Sequence, residues 1–182
     1  PETSTALVDG GLRYHTSLKA ENAKGLFDNF FGASRPGDYI ALQAYVPENA
    51  QVEKSFHQVQ TTLQRNLHLA VSTQFGPRYL HSTGQFHKGG PDNGYFIQFI
   101  SNSAADVRIP EQTYTFGQLK KAQAMGDMEA LRKQKRKVIM IDLGEDTVAG
   151  LLKFNQIIAG VHLHAKQPKI SLNQKEHNPT AA

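Results

Sequence analysis

The chain contains no cysteine among its 182 residues. It can therefore form neither a disulfide nor a thiolate metal site, a composition that suits a reducing compartment such as the cytoplasm. No apolar run approaches the roughly 20 residues that carry a helix across a bilayer. No secretory leader pattern opens the sequence, and it starts at Pro1 rather than Met; we read it as a piece of a longer polypeptide. GxGxxG and the Walker phosphate loop are both missing, which removes the main sequence support for the common nucleotide-binding folds. HExxH is missing too. His81 and His87 stand six residues apart without a glutamate ligand nearby, so no metal site is expected.

Charge is modest. Twenty Lys and Arg against sixteen Asp and Glu give +4. Part of this excess sits in the last residues, where Lys166, Lys169 and Lys175 face only Glu176. A second basic run comprises Arg132, Lys133, Lys135, Arg136 and Lys137. No aromatic residue interleaves it, and cations suit the end of a helix, so it reads as a solvated helix terminus and not as a nucleic-acid contact.

The length fits one domain with trimmings. Residues 6–15 form a short hairpin about Asp9-Gly10-Gly11. Leu26, Phe27, Phe30 and Phe31 share a helical face that Gly32 ends. Residues 39–46 are almost continuously apolar, as in a strand buried on both faces. Val52, Phe56, Val59 and Leu63 then recur at helical spacing up to about Asn66. Residues 69–73 make a second strand, so a parallel crossover unit is expected. Residues 95–100 and 138–143 are further strands. Phe116, Leu119 and Met125 mark a helix that breaks at Gly126, with Asp127 capping a second short helix. Asp146 or Thr147 caps the last helix, whose buried face carries Val148, Leu151, Leu152 and Ile158. The sum is an α/β, three-layer α-β-α sandwich with a mainly parallel sheet. Residues 1–37 lead into the domain, 38–160 form it, and 161–182 are a basic, disordered tail.

Between two of the strands lies a polar segment, residues 76–94, with five glycines and little periodicity. It follows a strand directly, and open parallel sheets bind ligands beyond the carboxyl ends of their strands. Its glycines let backbone N–H groups approach a ligand closely. Ser82 and Thr83 can donate to phosphate or sugar oxygens, and Arg78 and Lys88 supply positive charge. His81 and His87 titrate near neutrality. An anionic polyol is the ligand these residue types suit.

The wording of residues 75–90, FGPRYLHSTGQFHKGG, resembles a stretch near the C-terminus of bifunctional transaldolase/phosphoglucose isomerase fusion proteins. The likeness continues through residues 114–120, YTFGQLK, through 122–127, AQAMGD, and through the strand 138–143 with Gly144. It spans roughly residues 39 to 158. The resemblance implies a sugar isomerase (SIS-like) domain, the C-terminal part of the isomerase half, with the transaldolase half and the rest of the isomerase as partners. It implies interconversion of glucose 6-phosphate and fructose 6-phosphate by ring opening and enediol proton transfer, without metal or organic cofactor and without a membrane. The catalytic residues are then His81, His87 and Lys88. Arg78, Ser82, Thr83 and Gln85 bind substrate, and Lys153 falls near the family's catalytic lysine. This chain reads Asp-Thr-Val-Ala-Gly-Leu at 146–151 where that family reads Asp-Gln-x-Gly-Val-Glu, and no base glutamate stands in 84–90. The fragment alone is accordingly expected to be inactive. The alternative is a non-catalytic domain that binds sugar phosphate or supports the fold of the fusion enzyme.

Overall fold

The computed structural model describes residues 5–102 and 106–162. A hairpin comes first, from β1 (Thr5–Asp9) and β2 (Leu12–Thr16), followed by α1 (Ala23–Phe31). The remaining elements alternate: β3 (Tyr39–Tyr45), α2 (Ala50–Leu67), β4 (Ala70–Phe75), a 3-10 turn (Arg78–His81) with α3 (Thr83–Gly89), β5 (Gly94–Ile100), α4 (Phe116–Lys133), β6 (Lys137–Asp142) and α5 (Thr147–Ala159). The sheet order is β1-β2-β6-β5-β3-β4. β6, β5, β3 and β4 run parallel, whereas β2 joins β6 antiparallel.

The central strands β3 and β5 are apolar but for Gln43 and Gln98, because helices cover both of their faces. Ile40, Leu42 and Ala44 of β3 and Tyr95, Ile97 and Phe99 of β5 meet α1, α2 and α5 in one core. Phe27, Phe56, Phe99 and Phe154 form its aromatic centre, with edge-on ring contacts of 5.2 to 5.3 Å. On the opposite face, Ala41, Tyr45, Phe96 and Met140 meet Tyr79 and the Ala124, Met128 and Leu131 stripe of α4. The α/β sandwich with a mostly parallel sheet is thus present. The helices start on side chains that satisfy their free N–H groups: Asn49 accepts from Gln51 and Val52, Asp146 from Ala149, and Thr115 with Gln118 forms a reciprocal capping box.

Several expectations change. Residues 76–94, for all their lack of periodicity, hold the 3-10 turn and α3. α4 runs unbroken through Gly126, where a Cβ would meet nothing within 4 Å. Asp127 is therefore no cap but a mid-helix residue, and it is buried. The N-terminal hairpin and α1 share the sheet and the core of the rest, through the β2–β6 pairing and the burial of Phe27 and Phe31. Val161 also lies in that core, so the expected tail boundary moves at least one residue onward; residues 163–182 lie outside the described residues. Among the described residues, no helix is long and apolar enough to cross a membrane.

Candidate functional site

From β3 the chain crosses by α2 to β4; from β5 it crosses by α4, on the other face, to β6. The loops leaving the carboxyl ends of β3 and β5 thus diverge to opposite faces and leave a crevice, the place where open α/β sheets take ligands. The loop after β3 carries Pro47, Glu48 and Asn49. The loop after β4 opens residues 76–83. Arg78 and Glu48, both well exposed, form an ion pair that ties these two loops together. His81 ends the 3-10 turn and is exposed, as are Ser82, Thr83 and Gln85. Ser82 Oγ donates to the Tyr79 carbonyl at 3.2 Å, and Thr83 Oγ1 to Gln74 Oε1 at 2.8 Å. On the α2 and α5 side of the same edge lies a cleft of about 400 Å³ lined by Pro47, Asn49, Val52 and residues 145–148.

The glycines of this segment are mostly committed to the chain's own packing. A Cβ on Gly76 would come within 2.6 Å of the Tyr45 ring, and one on Gly94 within 2.5 Å of the Phe96 ring. These positions need glycine because side chains, not ligands, press against them.

His87 and Lys88 take a different course. α3 descends across the sheet, so they lie away from its carboxyl edge, His87 buried and Lys88 partly exposed. His87 Nε2 is 3.2 Å from Gln74 Oε1, and Nδ1 is 3.0 Å from the Tyr39 hydroxyl. A carboxamide oxygen can only accept, so Nε2 carries the proton and Nδ1 accepts from Tyr39. Burial lowers the His87 pKa; the Asp127 carboxylate opposes this and Lys88 adds to it. The ring is a neutral imidazole with both nitrogens engaged.

Lys88 Nζ pairs at 2.8 Å with Asp127 Oδ1, a carboxylate whose side chain is only 2% exposed. Asp127 Oδ2 accepts from Gln98 Nε2 at 2.8 Å and lies 2.8 Å from the Tyr79 hydroxyl. That hydroxyl is also 2.8 Å from the Tyr45 hydroxyl. Having one proton, Tyr79 gives it to the carboxylate and accepts from Tyr45. Burial first, and the neighbouring hydroxyl and carboxylate after it, push the Tyr79 phenol well above its usual range, and burial does the same to Tyr45. Arg136, in the turn between α4 and β6, closes the layer by donating to the carbonyls of Lys88 (2.9 Å) and Gly90 at the end of α3.

The structure therefore gathers Arg78, His81, Ser82 and Thr83 at the edge and sets His87 and Lys88 in a deeper polar layer. Gln85 stays on the outer side of α3. Lys153 is apart from all of them: α5 covers the opposite face, and Lys153 is exposed there, its Nζ 3.0 Å from where a Cβ on Gly11 would stand. The reading from sequence missed Asp127, Gln98, Gln74 and Tyr45. Their signal was a polar group on an apolar pattern, a carboxylate within the Ala124, Met128 and Leu131 stripe and polar side chains within the strands Tyr39–Tyr45, Ala70–Phe75 and Gly94–Ile100.

No model of a known protein family matches the chain, and no curated protein matches it. Among solved structures, the fold is similar to that of the hypothetical protein TT0462 from Thermus thermophilus, with a TM-score of 0.62 and 20% sequence identity. The likeness covers 77% of this chain and 40% of that one, so the chain spans about two fifths of that protein's length. At this identity the likeness speaks for the fold alone.

Proposed function

We propose that the chain is a SIS-like domain of a glucose-6-phosphate isomerase and forms one wall of a sugar-phosphate site whose other wall lies in the remainder of a longer fusion enzyme. The observation that carries this reading is the grouping of Arg78, His81, Ser82 and Thr83 at the carboxyl edge of the sheet, beside the loop that follows β3. The resemblance of residues 75–90 supplies the substrate class. In this role Arg78 exchanges Glu48 for the phosphate dianion. His81, exposed at the end of the 3-10 turn, moves the proton of ring opening. Ser82 and Thr83 bind sugar or phosphate oxygens, and Gln85 lies at the margin. His87 and Lys88 act one layer below: their bonds to Gln74, Tyr39 and Asp127 fix α3 and hence the turn that bears His81. The enediol base comes from the partner wall.

A second reading, a sugar-phosphate-binding or structural domain without chemistry, has its own observation in favour: both nitrogens of His87 and the ammonium of Lys88 are already bonded within the chain. A coupled assay for glucose 6-phosphate formed from fructose 6-phosphate separates the two. In the longer enzyme, His81→Ala and Arg78→Ala should each lower kcat/KM by about tenfold or more, the loss of one general acid–base or charge-assisted contact. Full activity in both variants with retained sugar-phosphate binding supports the module reading. Neither turnover nor binding in the parent enzyme sinks both.

A further inference from the structure

The helical layer on the α4 face of the sheet is incomplete. α3 covers β4 and β3, and α4 covers β5 and β6. β1 and β2 continue the same sheet, yet no helix among the described residues lies over them on this side. Cross-strand register sets Ala6 beside His15 and Val8 beside Arg13, and His15 beside Met140, which belongs to the α4 core. Ala6, Val8, Arg13 and His15 therefore share the uncovered face. Leu12 and Tyr14, which point the other way, are buried against α1 and α5.

The flank of α4 that borders this gap carries Lys121, Met125, Met128 and Arg132, at positions i, i+4, i+7 and i+11 of one helical row. Met128 is buried, but Met125 is 53% exposed, and across the gap Val8 is 65% exposed. The floor and one wall of the gap thus each set exposed apolar side chains, Val8 and Met125, beside cationic ones. Its charges are mostly of one sign. Arg13, Lys121 and Arg132 all act on the His15 imidazole, and Asp142 is the carboxylate that opposes them. The Asp142 carboxylate is itself engaged, accepting from Asn102 Nδ2 at 3.2 Å and from the Gly144 N–H at 3.0 Å.

Two strands at about 4.8 Å spacing are about 10 Å wide, the width of one packed helix. We infer that the β1–β2 face beside α4 is a docking slot for one amphipathic helix of an acidic partner, its apolar stripe on Ala6, Val8 and Met125 and its carboxylates on Arg13, His15 and Lys121. The chain's own residues 163–182 are unsuited to it, since Lys166, Lys169 and Lys175 outnumber Glu176. A nucleic-acid backbone would satisfy the charges but leave the methyl groups of Ala6, Val8 and Met125 in water. The slot lies on the hairpin side of the sheet, away from Arg78 and His81, and stands apart from the sugar-phosphate reading.

The test uses labelled peptides of α4's length in fluorescence anisotropy: one with a leucine stripe flanked by glutamates, one identical but for lysine in place of each glutamate, and a DNA duplex. The glutamate peptide should bind, with affinity falling at high salt and falling about tenfold or more in Arg13→Glu/Lys121→Glu and in Val8→Asp. All three side chains are exposed, so the variants should keep the circular dichroism and melting midpoint of the parent. Hydrogen exchange should slow across β1 and around Met125 on peptide addition. Absence of glutamate-peptide binding, equal binding of both peptides, or duplex binding with the same sensitivity to Arg13→Glu/Lys121→Glu overturns the inference. So does a dimer, seen by sedimentation, that Val8→Asp dissolves, because the occupant would then be a second copy of the chain.

Discussion

Asp127 is the residue on which the deeper polar layer depends. Its buried carboxylate takes bonds from Tyr79, Gln98 and Lys88, which come from the 3-10 turn, β5 and α3. Removing it strands three donors at once. We expect Asp127→Ala to lose about 3 kcal/mol or more in urea denaturation, the usual cost of leaving buried groups unpaired. Lys88→Met should also destabilise, because it leaves the carboxylate without its cation. The paired change Lys88→Met/Asp127→Leu should cost less than the two single changes together, with a coupling of about 1–3 kcal/mol. His87 adds a dependence on pH. Burial holds its folded pKa below the ordinary value of about 6.5, as burial also does for His15. Below pH ~6.5 the unfolded chain therefore binds more protons than the folded one, and stability falls as pH falls until the folded pKa is passed. Unfolding midpoints should drop between about pH 7 and about pH 5. His87→Asn and His15→Asn should each flatten that slope in part. At the edge of the sheet, Glu48 competes for Arg78. An exposed pair contributes at most about 1 kcal/mol, so Glu48→Gln should leave stability almost unchanged. It should strengthen sugar-phosphate binding severalfold in calorimetry if Arg78 is the phosphate ligand.

Among the elements, α4 and α5 show two opposite uses of glycine. Gly126 sits mid-helix in open space, so Gly126→Ala should stabilise the protein by about 0.5–1 kcal/mol through helix propensity alone. Gly150 lets α5 approach β6 so closely that an added Cβ would lie 2.5 Å from the Leu143 carbonyl oxygen. Gly150→Ala should cost about 1–3 kcal/mol by overpacking. Thermal melts of the two variants should shift in opposite directions. The same contrast explains what could be read from the sequence. β3, α2, β5 and β6 were legible because unbroken or 3.6-periodic apolar patterns reflect burial directly. α3 was not, since its buried positions are Gly84 and His87, which carry no apolar period. Gly126-Asp127 looked like a break and a cap because local chemistry favours both there. Tertiary burial of the Ala124, Met128 and Leu131 stripe overrides that preference.

For the whole molecule, the strand order makes a crevice between diverging loops, and the Arg78–Glu48 ion pair ties the loop after β4 to the loop after β3, with His81, Ser82 and Thr83 exposed in the same segment. The polar make-up of the segment was legible; its division into an edge group and a buried group was not. That division depends on the direction of α3 across the sheet, which no spacing of residues encodes. Lys153 illustrates the same limit. Its place on α5 follows from the sequence, but the face that α5 covers is a property of the assembled sandwich. The most direct test of the central reading is an amide chemical-shift titration of the chain with fructose 6-phosphate. It should perturb residues 76–83 and 46–49 saturably, and Arg78→Ala should weaken the effect by about tenfold or more. Shifts confined to other surfaces, or none at millimolar ligand, would contradict a sugar-phosphate site at the carboxyl edge.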